Sequence, residues 1–229
     1  MLLDKNESPY CDKYKKDLYI QRFIIGILGM LMPFLLYGFF NFTFLDSFSQ
    51  YYYTRSAVFF IITVSTFSIL LISYQGYEKT ENEKVSDNRL TSIAGIMGLI
   101  VVLVPTKAIS PLINPATVYA LFGHSCNDIK LWIHNIAAIA FMSLVGGVSY
   151  FKFSKVDDKE RNKKKNQIYK FFAIVIWVSV GFILICFIYY SVTQKSLVEN
   201  YVFWGEFVAI EFFAFSWIKK SHILTLNRK

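Results

Sequence analysis

An ionisable side chain inside a hydrocarbon layer is costly, by about 2.5–3.5 kcal/mol on insertion scales. An acid within a long apolar run therefore needs a reason, and two stand in the run 201–218: Glu206 and Glu211. Glu206 lies about five residues, roughly 7 Å, inside the start of that run, and Glu211 lies near its middle. Five residues of α-helix turn through about 500°, so the two carboxyls point about 140° apart and do not face one narrow site. Glu206 shares its face with Ile210, Phe213 and Trp217, whereas Glu211 shares its face with Phe207, Ala214 and Phe215. His134, followed by Asn135, lies near the start of another apolar run, at a depth that matches Glu206. A His–Glu pair across two helices can bind a polar headgroup, relay a proton, or serve as general acid and base. It can equally be a structural hydrogen bond between helices.

A connecting segment on the same side adds His124, Ser125, Cys126, Asn127 and Asp128. The ligand-binding candidates are therefore His134, Glu206, Asn135, Glu211, His124 and Asp128, with Asp46 near them on the same side. Zinc takes His, Cys and carboxylate ligands. However, no two of these histidines stand at i, i+4 and no HExxH occurs, so neither a metal nor a cofactor is expected. The third histidine, His222, belongs to the opposite side. Cys11, Cys126 and Cys186 fall at three different levels, too far apart for a disulfide.

The elements that must position these residues follow from composition. Of 229 residues, 55% are hydrophobic, 18% aromatic and only 17% charged, with a net charge of +8. A soluble domain carries about a quarter charged residues. Disordered chains are poor in aromatics, and three cysteines do not make a disulfide scaffold. Six runs approach the length of about 20 apolar residues that crosses a core about 30 Å thick: 23–40, 57–74, 90–106, 131–151, 171–192 and 201–218. Stretches such as 171–190 lack the polar face of a soluble helix. The fold expected is an all-α, six-transmembrane-helix bundle. Residues 1–22 form an N-terminal arm, 23–218 the membrane domain and 219–229 a tail. The first run, preceded by mixed charges and followed by no small-x-small site, is expected to stay as a signal anchor.

The +8 is a topology signal. Of 24 Lys and Arg, 20 fall in the arm, the second and fourth connections and the tail, and four in the first, third and fifth connections. Positive residues stay cytoplasmic during insertion, so both termini are expected on the cytoplasmic side. The basic stretch 159–165 lacks the stacking aromatics of a nucleic-acid site, so no nucleic-acid partner is expected. Tyr51, Tyr52, Tyr53, Trp132, Tyr189, Tyr190, Tyr201 and Trp204 fall at outer ends of runs. Tyr19, Tyr74, Tyr77, Tyr150, Tyr169 and Trp217 fall at inner ends. Interfacial belts take such rings. Helices in lipid associate through small residues and hydrogen bonds. Gly26, Gly29, Ala94, Gly95, Gly98, Gly146 and Gly147, with Thr63, Ser65, Thr66 and Ser68, therefore mark packing faces rather than a pore. The long, mildly apolar connection 107–130 is expected to form an outer lid or a re-entrant piece.

Several passages in this order resemble a group of small bacterial six-helix membrane proteins of unassigned function. They are Asp87-Asn88-Arg89-Leu90 leading to Ala94-Gly95 and Pro105-Thr106, His134 with Ala137-Ala138 and Phe141, Lys165-Asn166-Gln167-Ile168-Tyr169, Phe203-Trp204-Gly205-Glu206 with Ala209, and Phe215-Ser216-Trp217-Ile218-Lys219. More loosely they resemble the six-helix Frag/DRAM/Sfk superfamily, whose members include lipid-remodelling factors. The resemblance covers about residues 22–220. It implies six helices in a bacterial cytoplasmic membrane and draws attention to His134, Glu206 and Arg89, without supplying an activity. Seven-helix hydrolases such as the alkaline ceramidases hold zinc with three histidines, and this chain lacks their HxxxH pair.

The expected function is binding of a lipid or small polar ligand in an outer-side cavity near His134 and Glu206, as a transporter, sensor or accessory subunit. The alternative is a membrane-embedded lipid-modifying enzyme using the same pair. The expected partners are membrane lipids.

Overall fold

The computed structural model describes residues 9–76, 85–104, 106–108, 128–154 and 163–221, with side chains from Lys16 in the first helix and Asn166 in the fifth. Most of these residues are helical, and no strand occurs among them. Six α-helices follow in order: α1 (Pro9–Phe39), α2 (Ala57–Ser73), α3 (Asp87–Leu103), α4 (Asp128–Gly147), α5 (Lys163–Thr193) and α6 (Tyr201–Lys220). A 3-10 helix, Phe48–Tyr53, lies between α1 and α2, and a π-helical segment, Val148–Phe153, prolongs α4. Four stretches are long and apolar enough to cross a membrane: Lys16–Phe39, Asp128–Phe153, Asn166–Thr193 and Tyr201–Lys220. The protein therefore reads as a membrane protein. α2 is apolar but has 17 residues, and α3 also has 17.

Each apolar run of the sequence falls on one helix, but the helix ends differ. α1 reaches back to Pro9, well into the arm expected at 1–22. Hydropathy marks where a helix is apolar, and residues such as Lys, Gln and Glu continue it at little cost in propensity. The connection expected as a lid lies mostly outside the described residues.

Small residues set the helix contacts. A Cβ on Gly26 of α1 would lie 2.5 Å from Ile218 Cγ1 and 2.9 Å from the Ala214 carbonyl oxygen of α6. Gly95 and Gly98 of α3 press against Ser68 of α2, and Gly146 of α4 against the Trp177 indole of α5. Thr63 and Ser68 are buried, as a packing role for the α2 hydroxyls requires. In the middle of the bundle the rings of Phe67, Phe141 and Phe213 meet at centroid distances of 5.6, 6.1 and 6.3 Å, joining α2, α4 and α6.

The aromatic belt is a correction in part. Trp132, Trp204, Tyr189 and Tyr190 are exposed on the outside of the bundle. Tyr51, Tyr52 and Tyr53 are instead buried, because the chain leaving α1 folds back over the bundle end as the 3-10 helix. The Tyr51 hydroxyl donates to the Thr43 carbonyl at 2.8 Å, and the Tyr53 hydroxyl to the Thr106 carbonyl at 2.5 Å. Burial pushes the Tyr51 phenol up to about 12. Tyr74 and Trp217, expected at the other interface, are also fully buried.

Candidate functional site

The site is built where α4 and α6 begin and α3 ends. On α4, His134, Ala137, Phe141 and Val145 recur at helical spacing and are all buried, so this stripe faces the interior. His134 stands in the second turn of α4, level with the last residue of α3. Its Nδ1 lies 2.8 Å from the carbonyl oxygen of Val104, the residue that closes α3. The last carbonyls of a helix lack intrahelical donors, and the imidazole supplies one here. A carbonyl only accepts, so in the neutral ring Nδ1 carries the proton and Nε2 is the acceptor. The Ser49 Oγ lies 2.9 Å from Nε2 and donates to it.

Ser49 is brought to His134 by the 3-10 helix. Ser47 stands at the N-cap of that helix and makes no side-chain cap bond. The cap comes from α6 instead: Glu206 Oε2 accepts the Phe48 N–H at 2.7 Å. A second tie joins the same elements, from the Phe203 N–H to the Asp46 carbonyl at 2.8 Å. A carboxylate at a helix N-terminus is favourable because unpaired N–H groups gather there.

These residues surround one cavity of about 190 Å³. Its polar lining includes Ser47, Ser49, Thr106, His134, Asn135, Tyr201 and Glu206. Ile139 and Met142 of α4 with Val180, Ile183 and Leu184 of α5 line an apolar side. The rim residues Trp132, Ile139, Leu184 and Phe187 are exposed, so the cavity opens sideways on the apolar surface. A second space of about 30 Å³, room for one water, lies below it among Phe48, Ser49, Gly98, Phe141 and Glu206.

Three of the six sequence candidates, His134, Asn135 and Glu206, come together here. His134 and Glu206 line the same cavity, but no hydrogen bond joins them among the described residues. Each is held by the 3-10 helix or the end of α3, so the expected direct pair is replaced by two anchored groups. Glu211 is buried yet does not line the cavity, and its Oε1 has no hydrogen-bond partner among the described residues. It points elsewhere because of the 140° between the two positions on α6. Asp128 is exposed in the first turn of α4, away from the cavity lining. His124 lies outside the described residues. No group of three His, Cys, Asp or Glu able to hold a metal occurs among the described residues.

Sequence reasoning missed Ser49, because a hydroxyl in a short connection carries no cost that marks it. It also missed a polar cluster at the opposite end. There Arg22, Lys152 and Lys220 are buried with Asp87. Lys152 Nζ lies 3.3 Å from Asp87 Oδ1 and also donates to the Val85 carbonyl. Arg22 donates to the Tyr74 hydroxyl through Nε at 2.9 Å and Nη2 at 2.7 Å, and to the Lys220 carbonyl at 3.3 Å. Lys220 Nζ donates to the Phe153 carbonyl at 3.2 Å and lies over the Phe153 and Tyr169 rings. This cluster joins Arg22 in the middle of α1 to residues at or near the ends of the other helices, and its signal in the sequence was a base near aromatics at a run's edge.

No family model matches the chain, and no curated protein or solved structure matches it either.

Proposed function

We propose that the protein is a membrane protein that binds a lipid or similar amphiphile in the His134–Glu206 cavity. One observation carries this reading: a single cavity whose polar groups gather at one wall while its other wall is apolar and opens sideways between α4 and α5. The volume decides how much of a ligand enters. About 190 Å³ exceeds the roughly 150 Å³ that holds benzene, but falls short of the roughly 300–1,000 Å³ of a pocket that encloses a whole ligand. The polar head and the first carbons fit, and the chains lie along the exposed cleft. Such binding suits a transporter, a sensor or an accessory subunit.

The same proposal includes six spans and two cytoplasmic termini. At 1.5 Å per residue, 17 residues reach about 25 Å, the short end of what crosses a bilayer. The 20-to-4 division of basic residues supports the orientation, and the resemblance to small six-helix bacterial proteins supports a bacterial cytoplasmic membrane.

The test is photocrosslinking of the full chain in nanodiscs with a phospholipid carrying a diazirine on its acyl chain. Adducts are expected on the α5 peptide holding Ile183 and Leu184. Ala138→Trp, which fills the cavity, is expected to lower them at least threefold, and Val178→Trp on the exposed face of α5 to leave them unchanged. Equal crosslinking in Ala138→Trp overturns the reading. A second reading, a lipid-modifying enzyme, is favoured by the hydrogen bond from Ser49 to His134.

A further inference from the structure

We infer that Ser49 and His134 form a nucleophile–base dyad that cleaves an acyl ester, with the ester group of a membrane lipid as the substrate class. The inference rests on the amphiphile-binding cavity proposed above. Three features of the site carry it. The first is the tautomer. The Val104 carbonyl accepts a hydrogen bond from Nδ1–H at 2.8 Å, which keeps the proton on Nδ1 and leaves the Nε2 lone pair aimed at the Ser49 hydroxyl at 2.9 Å. That is the arrangement in which a base can take a serine proton, with the base itself oriented by a third group.

The second feature is space. A serine and a histidine that only fasten two elements together need no room beside them. Here both line a cavity of about 190 Å³, and both are more than nine-tenths buried, which keeps the pair from bulk water. Asn135 lines the same wall, and its carboxamide N–H groups are the donors suited to a carbonyl oxygen that gains negative charge.

The third feature is depth. Trp132 is exposed on the outer face of α4, and such rings sit at the headgroup level. His134 follows it by two residues, about 3 Å along the helix axis. The dyad thus lies just beneath the headgroups, the level at which a lipid joins its headgroup to its tails through esters.

The reaction balances with water as co-reactant. The Ser49 oxygen attacks the ester carbonyl carbon while its proton passes to His134 Nε2. The bond from that carbon to the alcohol oxygen breaks, and the alcohol leaves with the proton from Nε2. Water then attacks the acyl-serine and gives one proton to Nε2, which returns it to the Ser49 oxygen as the acid departs. The net change is ester plus water to carboxylic acid plus alcohol.

The test is labelling of the full chain in nanodiscs with an alkyl fluorophosphonate, which bonds phosphorus to an activated serine oxygen and releases fluoride. Ser47 lines the same cavity two residues away, with no histidine against it among the described contacts, and is the internal control. Peptide mass spectrometry is expected to place the adduct on Ser49 and not Ser47. Ser49→Ala should abolish it, and His134→Gln should slow it by about a hundredfold, the scale of general-base assistance. No adduct on Ser49, equal labelling of Ser47, or an unchanged rate in His134→Gln overturns the dyad. Where His134→Gln does not yield a monodisperse protein, the comparison of Ser49 with Ser47 in the unmutated chain decides. Lipid photocrosslinking on the same sample separates the two proposals. Crosslinking without a Ser49 adduct removes the dyad alone, and loss of both removes the cavity reading as well.

Discussion

Glu206 and Glu211 stand five residues apart on one helix and meet different surroundings. Glu206 caps the 3-10 helix and lines the cavity, whereas Glu211 is buried on another face with one oxygen unpartnered among the described residues. The energetic consequence of each polar residue follows from what it touches. His134→Ala leaves both the Val104 carbonyl and the Ser49 hydroxyl without their partner. Burying an unsatisfied polar group costs about 1–3 kcal/mol, so thermal unfolding in detergent is expected to show a loss of that order. His134 and Glu206 were legible in the sequence because an ionisable or polar side chain in an apolar run is expensive and so conspicuous. Ser49 was not, because its role depends on the 3-10 helix folding back over the bundle, a tertiary event with no local signal. The same event buries Tyr51. Burial raises its phenol from the usual 10 to about 12, so the folded state favours the neutral form. Its contribution to stability is therefore full below pH 10 and is lost as pH rises towards 12. Tyr51→Phe is expected to flatten the alkaline unfolding profile across that window, and an unchanged profile would show that the phenol titrates as if exposed.

Among elements, contact distances separate glycines that permit packing from one that does not. Gly26 lies against the α6 backbone, so Gly26→Val forces α1 and α6 apart and is expected to destabilise by about 1–3 kcal/mol. Gly181 of α5 has nothing within 4 Å of an added Cβ, so Gly181→Ala is expected to be neutral or to stabilise by up to about 1 kcal/mol. Unfolding midpoints of the two variants in one detergent check the contrast. The helix positions were readable from apolar runs, and the small residues correctly marked their contact faces. The buried bases were missed, although each stands near aromatics at the edge of an apolar run. Counting Arg22, Lys152 and Lys220 as topology charges treats each as solvated, yet all three are enclosed by helix ends and aromatic rings. For the Asp87–Lys152 pair, removing one partner leaves a buried charge and costs about 3–5 kcal/mol, whereas removing both costs less than the sum. A double-mutant cycle with Asp87→Asn and Lys152→Met is expected to show a coupling above 0.5 kcal/mol, and additivity would mean the pair is not coupled.

Across the whole molecule, two polar ends are separated by the Phe67–Phe141–Phe213 layer. The His134 end holds the Ser49–His134 hydrogen bond beside the carboxyls of Asp46 and Glu206, and the Arg22 end holds buried bases. This polarity agrees with the division of basic residues along the chain. If the Arg22 end is cytoplasmic, then α2 and α3, the two shortest helices, must each cross the membrane. Single cysteines in a cysteine-free background test this directly. Arg55 lies before α2, Arg89 in the first turn of α3, and Lys195 between α5 and α6, and all three are exposed. In vesicles that keep the cellular orientation, an impermeant maleimide is expected to label Arg55→Cys and Lys195→Cys directly, and Arg89→Cys only after permeabilisation. Labelling of Arg55→Cys and Arg89→Cys from one side would mean that α2 does not cross, and would reduce the number of spans. Labelling of Arg89→Cys alone from outside would keep the spans and invert the orientation. In that case the cavity would open towards the cytoplasmic leaflet, and its lipid would have to come from there.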